Sequence, residues 1–504
     1  MEFSRRSFMK WAASASTLAV ATPRGTKLVP LLNGGLKGGA AVSQGLFRPE
    51  LLPSQKDVWH NMEWMAQLGP KYTGNKAHKT FIDFLEAGMK KLGLDVSRDG
   101  YTLPLWEAGR TDIKIETASG EVFRPKVTSY FPRSGETPAV GVTGELQYVG
   151  SNPGFFGMKN LKGKIALVDF VCASREWEMM YDKWGVCPEG APYPKVYRPA
   201  RGAINRLAEF KDAGALGVIL AWTDVSDANA QDQYSPFSGP LQGIPTLYVG
   251  RESGIKLSRL ASAGAKATLV LEATITPDTT TDSVYAVLPG VSSKEAVVVH
   301  THTDGPNATE ENGAVAILAM AEYFSKIPKS ERPRDMVFPL HTGHFAGPWV
   351  PANVQGVLDK HPDLLPRTVA AFTIEHLGSR EWIDDATLTH YHPTGENDWS
   401  PTITKHKAIA NLAMEALQGS SEVHRTAVLN PLHENGWFGV GPPFGLAGVP
   451  SIQYIPQPNY LCVGAANGCI DKLSSDLFYS QLVFFTKIVH KTNTMTAAQL
   501  KGQA

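Results

Sequence analysis

The stretch Ala296-Val-Val-Val-His-Thr-His-Thr-Asp-Gly-Pro-Asn-Ala-Thr-Glu-Glu-Asn-Gly-Ala-Val-Ala-Ile-Leu-Ala-Met-Ala-Glu-Tyr-Phe324 decides how this chain folds. Its apolar opening, Ala296 to Val299, is the pattern of a strand buried on both faces. His300, His302 and Asp304 follow where that strand ends, and a short polar loop carries Glu310 and Glu311. Gly313 then opens an apolar helical run through Ala319 and Tyr323. A strand, a polar loop and a helix in that order put the loop at the carboxyl edge of an open α/β sheet, where ligands bind. Imidazoles and carboxylates gathered there suit a divalent metal, Zn²⁺ above all.

Outward from this stretch the pattern repeats. Strands are expected at Met336 to Leu340, Val369 to Ile374 and Ser451 to Ile455. Helices are expected at Ala314 to Ser325, Val354 to Lys360 and Ile403 to Leu417. This alternation predicts an α/β fold, a mainly parallel sheet with helices on both faces. Upstream, Phe81, Phe84, Leu85, Gly88, Met89 and Leu92 have helical spacing before a stop at Gly93, and strand-like pieces follow at Val96 and Ile113 to Ile115. From about Pro138 the chain becomes β-rich, with short strands at Gly144 to Gly150, Leu161 to Val168, Gly214 to Leu220 and Ile244 to Val249. A helix is expected at Ile204 to Ala213, and the polar Thr279 to Ser283 marks the return to alternation.

A length of 504 residues suggests about two or three domains. Lys+Arg (48) balance Asp+Glu (48), so no global field favours nucleic acid or an acidic membrane surface. Ser4-Arg-Arg-Ser-Phe-Met-Lys10 matches a twin-arginine export signal, with an apolar stretch from Trp11 to Val20 and a small-residue cleavage site at Ala19-Val-Ala21. That stretch is too short to span a bilayer, so the expectation is passage through the twin-arginine machinery to the periplasm or beyond, without stable membrane insertion. A Gly-rich segment from Asn33 to Ser43 reads as mobile. Cys172, Cys187, Cys462 and Cys469 are too few for a disulfide scaffold, though an oxidising destination permits a bridge within each close pair.

The pieces Gly163-Lys-Ile-Ala-Leu-Val168, Ala213-Gly-Ala-Leu-Gly-Val-Ile-Leu220 and Ile244-Pro-Thr-Leu-Tyr-Val249 resemble, in order, a protease-associated (PA) domain. Lys71-Tyr-Thr-Gly74, Leu92-Gly-Leu-Asp-Val96, His302-Thr-Asp304 and Phe444-Gly-Leu-Ala-Gly-Val-Pro450 resemble motifs of the co-catalytic zinc exopeptidases. That group includes leucyl aminopeptidases, glutamate carboxypeptidases and glutaminyl cyclases. After the signal peptide expected at 1–21 and the mobile segment at 22–50, the resemblance implies an exopeptidase-like domain at 51–137 and 283–495, interrupted by a PA domain at 138–282. It implies His302 as a metal ligand and Asp304 as the acid that orients it. Glu310 or Glu311 falls at the family's bridging carboxylate, in a loop one residue shorter, and Glu375 of Glu375-His-Leu-Gly378 falls at the later Asp.

Two family positions are altered. The E-E-x-G-L-x-G motif is replaced by His341-Thr-Gly-His-Phe-Ala-Gly347, and Tyr460 to Gly464 holds no histidine where the last ligand belongs. The resemblance therefore implies one zinc ion on His302, Glu310 and Glu375, with His341 or His344 as the base. His376 is expected to face away from the site, and His390, His392, His433 and Glu434 to lie in surface loops. Three readings follow: a metal-dependent hydrolase of peptide or other amide bonds, a cyclase-like acyl transferase, and an inactive binding protein.

Overall fold

The apolar run at Ala296 becomes the inner half of one strand, Ser292–His302, whose residues from Ala296 onward are all buried. It sits within a 15-stranded sheet in a computed structural model that describes residues 47–151, 160–176, 179–191, 195–198, 207–236, 238–418 and 424–502. The export signal and the Gly-rich segment lie outside the described residues, as does the start of the helix expected from Ile204.

In chain order the strands are β1 (Asp95–Glu116), β2 (Val127–Tyr130), β3 (Val142–Ser151), β4 (Lys164–Phe170), β5 (Tyr181–Cys187), β6 (Gly217–Trp222) and β7 (Thr246–Val249). They continue with β8 (Lys266–Leu288), β9 (Ser292–His302), β10 (Arg334–His341), β11 (Thr368–Ile374), β12 (Ser400–Ile403), β13 (Thr426–Pro431) and β14 (Ser451–Tyr454). Across the sheet they run β2-β7-β6-β4-β3-β8-β10-β9-β11-β14-β12-β13-β5, β1 lies antiparallel along the whole of β8, and the two-residue strand Val122–Phe123, paired with β1, completes the fifteen. The four neighbours β10, β9, β11 and β14 are mutually parallel, so their carboxyl ends share one edge. On that edge His302 stands beside His341, and His300 beside Thr373.

Alternation along β9 explains why both faces are covered. Val297 and Val299 point to one core, shared with helices α1 (Gln55–Gln67), α2 (Lys76–Lys91), α3 (Gly313–Ser325) and α4 (Ser475–Thr494). Ala296 and Val298 point to the other, with Val337, Val354, Val357 and Phe444. Helix α3 is apolar nearly all round because it is buried nearly all round. Residues 52–94 and 284–500 contribute to the same first core.

Two further cores are built around β3, β4, β6 and β7. One of them takes Trp106, Ile113 and Ile115 from upstream of position 138. Strand β5 instead leaves this region and pairs with β13. Val96 and Ile113 to Ile115, read separately in sequence, belong to the single 22-residue β1. Thr279 to Ser283 lies inside β8, opposite Leu103 to Asp99, because β-branched threonines fit a pleated surface as well as a turn. The helix expected from Ile403 begins at Lys407, since Ile403 is held in register with Leu429 of β13. All four cysteines are free thiols. No helix among the described residues is long and apolar enough to cross a membrane.

Helix α3 meets the sheet so closely that a Cβ on Gly313 would collide with the carbonyl oxygen of Ile374. That oxygen is backbone at the end of β11 and cannot swing aside. Gly313→Ala should lower stability by about 1–3 kcal/mol, measured as a shift of the urea midpoint. An unchanged midpoint would show that α3 can slide.

Candidate metal centre

Three loops at the carboxyl edge meet above β9. The first, after His302, carries Glu310, and Asn307 shapes it. Asn307 Oδ1 accepts from the backbone N–H groups of Thr309 (2.9 Å) and Glu310 (3.2 Å). Its amide donates to the carbonyls of Tyr460, Leu461 and Val463 at 2.8–3.1 Å. The second loop, after β10, carries His344, and the third, after β11, carries Glu375 and His376. Gly439, at φ +77°, leaves the space that Glu375 Oε1 enters.

His302, His344 and His376 each make the same use of Nδ1. His302 Nδ1 lies 2.8 Å from the carbonyl of Asp304, His344 Nδ1 3.0 Å from that of Ala352, and His376 Nδ1 2.6 Å from that of Pro456. A carbonyl only accepts, so each Nδ1 carries a proton and each Nε2 is left to face the centre. There the Nε2 atoms meet carboxylates. His302 Nε2 is 3.5 Å from Glu375 Oε2, and His344 Nε2 is 3.5 Å from Glu310 Oε1. His376 Nε2 is 3.2 Å from Glu310 Oε2 and 4.0 Å from Glu375 Oε2. All five side chains are buried.

A buried carboxylate facing Nε2 calls for positive charge between them, either a metal ion or the proton that makes the ring an imidazolium. His302 Nε2, His376 Nε2, Glu310 Oε2 and Glu375 Oε2 all lack a well-made hydrogen bond. The ligand atoms fall into two sets within 4.8 Å, His302 with Glu310 and His344, and His302 with Glu375 and His376. The field has the matching sign. Burial alone would lower His344, but its hydrogen bond to Glu310 and the charges of Glu310, Glu375 and Asp304 push it up to about 9. His376 is raised against burial by Glu310 and Glu375. Burial opposes ionisation of both glutamates, yet the imidazoles hold them below the usual carboxylate range.

His376 was expected to face away, and the structure corrects this. Its φ of +60° is left-handed, so the chain turns instead of alternating and Glu375 and His376 point into the same site. For a non-glycine residue this costs about 1–3 kcal/mol, held by the surrounding structure.

Other expected residues go elsewhere. Asp304 orients His302 through its backbone carbonyl. Its carboxylate accepts from the Thr73 hydroxyl and from the N–H groups of Gly343 (3.2 Å) and Phe345 (2.9 Å), fixing the loop of His344 and leaving Asp304 outside both ligand sets. Glu311 is not brought to the cluster. It pairs at 2.6 Å with Lys71, both fully buried, and burial pushes it up to about 7 against that charge. His341 is also outside the ligand sets; its Nε2 lies 3.5 Å from His300 Nδ1, and His300 Nε2 is 2.9 Å from Thr373 Oγ1. Burial drives both rings down, His300 to about 3. His390, His392, His433 and Glu434 are exposed.

No protein-family model matches the chain. Aminopeptidase YwaD of Bacillus subtilis (strain 168) is 24% identical over 449 residues, 85% of this chain and 84% of that protein. The solved zinc aminopeptidase BSAP of Bacillus subtilis shares the fold, with a TM-score of 0.59 at 17% identity over 89% of this chain and 98% of that one. A peptidase M28 precursor of Shewanella amazonensis SB2B does so as well, at 0.59 and 15% over 88% and 98%. The aminopeptidase of Aneurinibacillus sp. strain AM-1 gives 0.56 at 17% over 87% and 93%.

Two outcomes follow from the buried groups around the centre. Lys71→Met strands the Glu311 carboxylate and should cost about 3–5 kcal/mol; adding Glu311→Gln should restore most of it in chemical denaturation. His78 accepts from the Gly74 N–H (3.1 Å) and donates to Thr303 Oγ1 (2.8 Å), and burial lowers it to about 4. Between that value and the unfolded value of 6.5 the unfolded chain binds the extra proton. Its contribution is therefore complete above the unfolded value and lost as pH falls toward 4, on the order of 3 kcal/mol. His78→Gln should flatten that part of the stability–pH curve, and an unchanged slope would show that His78 titrates alike in the folded and unfolded chain.

Proposed function

We propose that this chain is an exported zinc-dependent peptidase, cleaving peptide or related amide bonds with one tightly held ion. The observation that carries the reading is the set of three imidazoles, tethered at Nδ1, whose Nε2 atoms converge on two buried carboxylates. Nitrogen and oxygen donors of this kind fit zinc, and one dication balances two carboxylates and three neutral rings in a buried site. His302, Glu375 and His376 would hold the ion, with Glu310 between them and His344. Bound there, zinc would supply Lewis acidity toward an amide carbonyl and a water of lowered pKa.

The chain's own groups do the rest. Glu310 and Glu375 bring negative charge that favours a cation in a site closed to bulk water. His344, anchored at Nδ1 by Ala352 and turned toward Glu310 through Nε2, would exchange a proton with the leaving amine, the task of the family's missing glutamate. His341 would support the loop through His300 without touching substrate. The similarity to an aminopeptidase over most of both chains and the shared fold with a zinc aminopeptidase support peptide as the substrate class. Export rests on the twin-arginine motif at Ser4 to Lys10, and the segment 138–282 is read as a PA-type domain that shapes access to the centre.

Metal content and turnover of aminoacyl 4-nitroanilides test this together. One zinc per chain is expected, lost in His302→Ala and Glu375→Ala. His344→Ala should keep the ion and lower turnover by about 10²–10⁴-fold, whereas His341→Ala should keep the ion and most of the rate. Two stoichiometric ions, with turnover insensitive to His344→Ala, would overturn the assignment.

A further inference from the structure

A cavity of about 170 Å³ opens beside the metal centre. Its walls include Tyr72, Tyr130 and Tyr234, with Asp232 and Gly464 also lining it. Tyr72 and Tyr234 stack at 4.1 Å between centroids, and Tyr130 stands edge-on to Tyr234 at 6.0 Å. Rings stacked so closely leave no slot for another ring between them; what the cavity offers is phenol faces, hydroxyls and one acid. No lining residue is basic. Arg133 hydrogen-bonds Tyr234 and donates to the carbonyls of Gly239 and Phe345.

Asp232 is exposed and firmly placed. Its N–H donates to Thr128 O (2.8 Å), its carbonyl accepts from the Gly464 N–H (2.7 Å), and its φ is +59°. Only the Gln231 amide, at 2.7 Å, shares its carboxylate with solvent. Two chains of contacts lead from the cavity toward the centre. Tyr72 precedes Thr73, whose hydroxyl holds Asp304, and Tyr234 lies 6.0 Å from the ring of Phe345, which follows His344. An adjoining recess is lined by Tyr72, Tyr234, Phe345, Trp106 and Arg133.

Electron-rich rings beside an unneutralised carboxylate select a cation. We infer that this cavity is the subsite for a positively charged side chain of the peptide substrate, of the lysine or arginine class, with Asp232 as its counter-charge. The assignment to a substrate side chain rests on the peptidase reading; the cation preference of the cavity does not.

The test uses the full zinc-loaded chain and n-butylammonium, with 1-butanol as its neutral counterpart, followed by ligand-observed NMR. Asp232→Asn is the variant, since asparagine tolerates the left-handed backbone at this position. Butylammonium should bind at least about tenfold better than butanol, and Asp232→Asn should remove that difference. The preference in kcat/KM for a lysyl over a norleucyl 4-nitroanilide should fall by the same factor of about ten. Equal binding of the two probes, or butylammonium binding unaffected by Asp232→Asn, overturns the subsite. Asp232-dependent binding with no substrate cleaved keeps the cation cavity and sinks the peptidase reading. Cleavage with neither butylammonium binding nor lysyl preference does the reverse.

Discussion

Two carboxylates, Glu310 and Glu375, are buried against three imidazoles, and much of the surrounding structure answers that concentration of charge. Burying an unpaired charge costs several kcal/mol, so the neighbourhood can carry little further uncompensated charge. Glu311, next in sequence to Glu310, is neutralised by Lys71, whose ammonium also donates to the carbonyls of Met65 (3.1 Å) and Gly69 (2.8 Å). Asp304 is held by one hydroxyl and two backbone N–H groups. His300 and His341 beneath the site stay neutral because burial disfavours their charged forms. What is left over is a net demand for a cation at one place.

The same demand explains the backbone. Three rings must present Nε2, so three carbonyls, those of Asp304, Ala352 and Pro456, stand where Nδ1 can reach them. His376 accepts a left-handed conformation to join them. Gly439 gives up its side chain so that Glu375 fits, with the Val440 N–H at 3.2 Å from Glu375 Oε1. Each feature is costly or neutral alone and useful only if the donors act together.

The β-rich region is tied to this centre by specific bonds. Arg133 bonds the carbonyl of Phe345 at 2.9 Å, in the loop that carries His344. Gln233 donates to Asn459 O (3.0 Å), and Asn229 donates to Asp384 Oδ2 (2.9 Å). Long β1 and β8 run through both regions, so their ladder joins the two with no flexible linker.

The sequence alone determined the parallel heart of the sheet and the edge where chemistry gathers. Unbroken apolar runs ending in His302, in the His341 motif and in Glu375 can be buried only as parallel strands covered on both sides, and their ends must then meet. It also singled out Glu310 as one of two adjacent candidates, and His344 as one of two histidines. Period alone could not choose between neighbours, because a loop residue's direction depends on φ and on partners distant in the chain. Lys71, more than two hundred residues from Glu311, removed that glutamate from the site; Asp304 lost its expected role to its own carbonyl; and His376 was missed because alternation after a strand predicts the opposite face. Only the tertiary structure decided these points, since each turns on a hydrogen bond or a charge pair between segments that meet only when the sheet has formed.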